Sequence, residues 1–144
     1  ASPAQQLQYF VEAGGNLIDT AAVYGDGDSE RVIGGFLGTL IPREEIILAS
    51  KAGISFASGE RTVNNSRTSL LADLDKSLGR LGTDYLDLWQ VHTWDPNVPL
   101  EETLSALDAA VTSGRVRYAG LSNFNGWQLA RAATLQNPLF GKAG

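Results

Sequence analysis

Apolar positions along this chain alternate between the three-to-four spacing of a helix face and the short unbroken runs of a covered strand. Leu7, Phe10 and Val11 share one helical face, and Gly14-Gly15 stops that helix because glycine accepts the positive φ of a C-terminal cap. Residues 16–20 read as a short strand. A second helix starts near Asp28 or Ser29, with Ile33, Phe36 and Leu37 as its buried side. Residues 46–51 form a run apolar on both faces, as in a parallel strand sandwiched by helices. The polar stretch 52–65 reads as a loop, by default a variable surface connection and alternatively a flap over a ligand. Ser66 can cap the next helix, in which Leu70, Leu71, Leu74, Leu78 and Leu81 keep to one face before Gly82 ends it.

Residues 85–92 form a third strand, with Leu86, Leu88 and Gln90 on one side and Tyr85, Asp87, Trp89 and Val91 on the other. Leu100, Leu104, Leu107 and Val111 then mark a helix stopped by Gly114, residues 117–123 a fourth strand, and Trp127, Ala130, Ala133 and Leu135 a last helix. Beyond Leu135, the residues Pro138, Gly141 and Gly144 read as loop. Strands alternating with helices, without hairpin signals, predict βαβ units on a parallel sheet within a single domain spanning residues 1–144.

Asp19, Lys51, His92, Ser122 and Asn123 all fall at or just past the C-terminal ends of their strands. Parallel α/β folds bind ligands at that end, so the distribution predicts one shared site.

Composition narrows the classes. The 43% hydrophobic content over 144 residues is ordinary for a globular domain. A net charge of -5 with both signs interspersed leaves no basic stripe for nucleic acid and no polybasic segment for a membrane surface. The absence of cysteine removes disulfides and zinc-thiolate sites, and a lone histidine argues against a His-based metal centre, so no metal is expected. No run approaches the roughly 20 apolar residues of a membrane span, and a soluble, cytoplasmic protein is expected. The sequence opens on Ala1-Ser2-Pro3 and contains no methionine, which predicts that the natural chain is longer.

Taken singly, each rim residue has a plain structural use. A strand-ending Asp caps the following turn, a loop Tyr covers the core, a Lys snorkels, and a His donates a hydrogen bond. Together, an acid, a phenol, an ammonium and an imidazole match the needs of carbonyl reduction. A carbonyl accepting hydride develops oxyanion character, which a nearby proton donor stabilises. Tyr24 alone is a weak acid, with an unperturbed pKa of about 10. An adjacent Lys51 ammonium would favour the phenolate; Asp19 would hold Lys51 charged and aimed; His92 would donate to the substrate oxygen.

The segment Asp19-Thr20-Ala21-Ala22-Val23-Tyr24-Gly25, followed by Ser29-Glu30, resembles the D-T-A-x-x-Y-G signature of the aldo-keto reductases. Ile47-Leu48-Ala49-Ser50-Lys51 resembles the strand that carries their lysine, and Leu81-Gly82-Thr83-Asp84-Tyr85 through His92 resembles their histidine block. Glu101-Glu102-Thr103-Leu104 and Gly120-Leu121-Ser122-Asn123-Phe124 resemble two further family segments, all in the family's order. The resemblance implies a (β/α)₈ TIM barrel, of which about four strands and their helices are present. It implies an enzyme reducing aldehydes or ketones to alcohols, with Asp19, Tyr24, Lys51 and His92 catalytic. It also implies NADPH as the usual cofactor and NADH as the alternative, with Asp19, Ser122 and Asn123 near the nicotinamide. The substrate, a small carbonyl compound or alcohol, would meet Tyr24 and His92, and Trp94, just after His92, reads either as a wall of that pocket or as a rim aromatic packing on the neighbouring loop. Gly25 and Gly27 lack the third glycine of G-x-G-x-x-G, so a Rossmann site has no support.

A complete barrel typically takes about 250 residues. By family comparison the first strand and strands six to eight are missing here. That opens two sheet edges and an apolar inner face, which assembly into a homo-oligomer would cover. Two other functions compete with the reductase: a cofactor-binding regulatory or channel-associated subunit, and an inactive truncated fragment.

Overall fold

Helix α1, Pro3–Glu12, starts where Ser2 Oγ accepts the Gln5 N–H at 3.2 Å and Gln5 Oε1 accepts the Ser2 N–H at 3.0 Å. This reciprocal cap satisfies two otherwise orphaned donors, and Pro3 stands where its missing N–H costs nothing. The computed structural model describes residues 2–140, with side chains through Leu135. The elements that follow are β1 (Leu17–Asp19), α2 (Asp28–Gly34), β2 (Ile47–Ala52), β3 (Ile54–Ser55), β4 (Thr62–Val63) and α3 (Arg67–Leu81). Next come β5 (Leu86–Val91), α4 (Leu100–Thr112), β6 (Val116–Leu121) and α5 (Gly126–Phe140).

The main sheet has the order β1-β2-β5-β6, parallel throughout, as the alternation of strands and helices predicted. Its register sorts the side chains. Ser50 opposite Trp89 and Ala52 opposite Val91 share a face with Leu48, and all five are buried against the helices. Leu70, Leu74 and Leu81 of α3 and Leu104 and Leu107 of α4 complete that core. The other face carries Leu17, Asp19, Ile47, Ala49, Lys51, Leu88, Gln90 and Tyr118, which pair across the strands. Here Leu17, Ile47 and Tyr118 are 53%, 44% and 74% exposed, so one layer of the sheet is covered and the other is largely open.

Five local expectations need correction. The 52–65 stretch is not a plain loop, since β3 and β4 make a small antiparallel hairpin with Ile54 opposite Val63 and Ser55 opposite Thr62. Two residue pairs are too few to leave an alternation in the sequence. Ser66 occupies the N-cap position of α3 but its side chain makes no capping bond. In β5 the strict alternation breaks at Asp87, whose Oδ2 accepts the Leu48 N–H at 2.9 Å, so that the ladder with β2 begins only at Ala49 opposite Leu88. Arg43 holds that carboxylate at 2.8 Å. On α5 the buried positions are Gln128 and Ala132, while Trp127 is 59% exposed. Gln128 turns inward because its Oε1 accepts the Asn125 N–H at 2.8 Å. Finally, α5 runs through Phe140, so residues 136–140 are helical where Pro138 suggested loop. The expectations on Gly141 and Gly144 lie outside the described residues.

Candidate active site

β1 ends at Asp19, and the chain beyond it keeps following β2: Thr20 N–H donates to Ala49 O at 2.9 Å and Ala22 N–H to Lys51 O at 3.0 Å. This extension carries Tyr24 to the same rim as Lys51. A tight turn then reverses the chain through Gly25, Asp26 and Gly27, all at positive φ (58°, 52° and 89°). Gly27 is required twice over, since a Cβ there would also lie 2.8 Å from the Arg80 side chain. Thr20 Oγ1 and Ser29 Oγ, 2.7 Å apart, tie the two ends of the turn together.

Lys51 is the centre of the cluster. Its Nζ donates to Asp19 Oδ1 at 2.9 Å, Asp19 Oδ2 at 3.0 Å and Thr20 O at 3.1 Å, which uses all three ammonium protons. The ammonium lies 5.6 Å from the Tyr24 ring centroid, within cation–π range. His92 meets the Tyr24 ring edge-on, at 6.0 Å between centroids and 83° between planes. Burial, with the Lys51 and Arg61 charges added, holds the imidazole pKa below its ordinary 6.5 against the smaller pull of Asp19. The ring is therefore neutral at neutral pH and offers a hydrogen bond rather than a charge.

Ser122 and Asn123 stand at the end of β6. Ser122 N–H donates to Val91 O at 2.9 Å, and Asn123, at φ 57°, donates from Nδ2 to His92 O at 2.9 Å and to Ser122 Oγ at 3.3 Å. Ser122 thereby keeps a hydroxyl proton to donate and Asn123 its Oδ1 to accept, at the end of β6. Trp94 stacks edge-on against Phe124 and Trp127, each at 5.5 Å, in an aromatic group bridging the loops after β5 and β6. Among the described residues no ring pairing joins Trp94 to Tyr24 and no cation–π contact joins it to Lys51.

Supporting residues escaped the sequence reading. Glu30 is fully buried; it accepts the Ser50 hydroxyl proton and pairs with Arg80 at 2.7 Å, fixing α2 and α3 to the residue before Lys51. Its place after Ser29 in the matched segment was the available signal. Asn65, also buried, donates from Nδ2 to Thr93 O at 2.8 Å and from its backbone to Asp95 Oδ2 at 2.9 Å, anchoring the hairpin beside His92. Nothing in its spacing marks it.

Four parallel strands with Asp19, Lys51 and His92 at or just past their C-terminal ends are the arrangement of a parallel α/β protein with a candidate site along that edge. The Aldo/keto reductase family model matches residues 2–139, and the chain belongs to that family. Aldo-keto reductase YhdN of Bacillus subtilis is 37% identical over 121 residues, which cover 84% of this chain and 37% of that protein. The thermostable aldo-keto reductase Tm1743, solved with the inhibitor epalrestat, superposes with a TM-score of 0.80 at 36% identity, over 92% of this chain and 45% of its own. An aldo/keto reductase from Klebsiella pneumoniae, solved with NADP and acetate, gives a TM-score of 0.75 at 29% identity, over 91% and 42%. The chain thus spans less than half the length of these relatives, and its sheet is four parallel strands of their TIM barrel.

Proposed function

We propose that this chain carries the proton-transfer part of a reductase site that converts aldehydes or ketones to alcohols with NADPH, NADH being the alternative donor. The observation that carries this reading is the placement of the Lys51 ammonium between the Asp19 carboxylate and the Tyr24 ring, with neutral His92 against the same ring. The nicotinamide, when bound, supplies the hydride. Tyr24 gives its hydroxyl proton to the substrate oxygen as charge builds there, and the Lys51 field favours the phenolate left behind. His92 donates an N–H to the same oxygen and orients it; because its pKa is depressed, Tyr24 rather than His92 is the acid at neutral pH. Ser122 and Asn123 suit the nicotinamide carboxamide by their paired donor and acceptor. Trp94 walls the substrate side, braced by Phe124 and Trp127.

Support also comes from the relatives: the Klebsiella enzyme was solved with NADP. Tyr24→Phe tests the reading. Turnover of a generic aromatic aldehyde should fall about a thousandfold, the upper part of the range for general acid catalysis, with NADPH quenching of tryptophan fluorescence unchanged. Undiminished turnover would remove Tyr24 from the mechanism, and NADPH binding without turnover in the unmodified chain would favour a regulatory subunit.

A further inference from the structure

β5 ends at Val91, so His92 stands one residue past the strand that carries it. Its N–H still donates to Ala52 O at 2.9 Å, and its carbonyl accepts from Asn123 Nδ2 at 2.9 Å. Thr93 and Asp95, next along the chain, are both held by Asn65. The Asn65 Nδ2 donates to Thr93 O at 2.8 Å, and its backbone N–H donates to Asp95 Oδ2 at 2.9 Å.

Asn65 is fixed from two further sides. Thr103 Oγ1 of α4 donates to its carbonyl at 2.9 Å. Its Oδ1 lies where a side chain of residue 53 would be, so a Cβ at Gly53 would collide with it. The preceding residue, Asn64, closes the hairpin onto the same glycine, its N–H donating to Gly53 O at 2.9 Å. Asn65, Asp95 and Thr103 are 1%, 4% and 3% exposed, so this set of bonds works away from water, where each one constrains geometry most.

Gly53 comes two residues after Lys51, and Thr93 comes one after His92. A single buried amide thus bridges the ends of the two strands, its oxygen against the β2 side and its nitrogen on the β5 side. We propose that Asn65 is a positioning residue: by fixing the Thr93 peptide against the end of β2, it sets where the His92 imidazole stands relative to Tyr24 and Lys51. Its effect on turnover rests on the reductase function proposed above, whereas its effect on the ring does not.

His92 is the only histidine in the chain, so its imidazole C–H signals stand alone in a proton NMR spectrum. Its edge-on contact with the Tyr24 ring should give cross-relaxation peaks between the two rings. Asn65→Ala removes both edges of the amide. Asn65→Leu keeps the branched shape and the backbone bonds but has no N–H to give Thr93. In the folded protein both should lose most of the Tyr24–His92 peak intensity. Both should also lose about a hundredfold in kcat with NADPH and an aromatic aldehyde, the cost of misplacing a reacting group by about 1 Å, with KM for NADPH unchanged. Thr103→Val is the control, since it removes a bond to the same residue from the α4 side; it should lower the denaturant midpoint and leave the peaks intact.

Peaks absent from the unmodified chain, or of undiminished intensity in the Asn65 variants, overturn the proposal. Equal weakening in Thr103→Val does so too, because it would reduce Asn65 to a general stabiliser. If Asn65→Ala fails to fold, Asn65→Leu decides the matter by the same peaks. Peaks lost in the Asn65 variants of a chain that binds NADPH but turns over no aldehyde would leave the placement of His92 standing and overturn the reductase function instead.

Discussion

His92 is held neutral by three separate causes, burial first, then Lys51, then Arg61. Removing Lys51 as Lys51→Met deletes one opposing cation and frees Asp19 to attract the imidazolium, so the His92 pKa should rise, as a proton NMR titration would read directly. A pKa unchanged by this substitution would mean that Lys51 does not act on the ring. The same depression couples to folding. Because the folded state releases its proton more readily than the unfolded one, the contribution of His92 to stability is full above 6.5 and declines as pH falls through the lower folded value. Denaturant midpoints of the wild type against His92→Gln should converge on that acidic descent; a gap that stays constant from neutral pH downward would contradict it. At this scale the sequence brought out Asp19, Tyr24, Lys51 and His92, because each lies at or shortly after the C-terminal end of a strand that its apolar run announces. It marked Glu30 only by its place after Ser29 in the matched segment and Asn65 not at all, since burial of a polar side chain depends on partners distant in the chain, Arg80 and Thr93 among them.

The contact between α2 and α3 carries the Glu30–Arg80 pair that braces Ser50, the residue before Lys51, and it passes through one glycine. A Cβ at Gly34 would stand 2.2 Å from Arg80 O and 3.0 Å from Leu81 Cα, which are backbone atoms that cannot turn aside. Gly34→Ala should therefore force the helices apart and cost about 2–3 kcal/mol of stability, seen as a lower midpoint in thermal circular dichroism. Separation would also pull Glu30 from Arg80 and Ser50, so the variant should lose activity out of proportion to its residual folded fraction. A variant as stable as the parent would show that the interface has slack. Helix existence was legible from the leucine spacing of α3 and α4, whereas this role of Gly34 was not, because a glycine near a helix end reads as a stop signal whether or not another helix touches it. The β3–β4 hairpin was hidden for a different reason: its only apolar pair is Ile54 with Val63, and its register is set by hydrogen bonds that leave no periodicity.

Across the whole molecule the parallel order of the sheet followed from the sequence, but the exposure of its inner face comes from how many strands are present. β1 and β6 each have one unpaired edge, and between them Leu17, Ile47 and Tyr118 face outward from the site-bearing surface. Open parallel edges beside exposed apolar side chains are a template for further strand pairing, and a longer relative closes the same face with its remaining strands. The 144-residue chain on its own should therefore self-associate, with light scattering giving a mass above that of the monomer that falls on dilution. Tyr118→Lys places a charge at the most exposed of these positions, on the edge strand, and should shift the population toward monomer without changing the far-ultraviolet circular dichroism. A chain that remains monomeric at every concentration would show that this face is covered by some other means, and an association indifferent to Tyr118→Lys would place the contact elsewhere, with the exposed α5 residue Trp127 the next position to substitute.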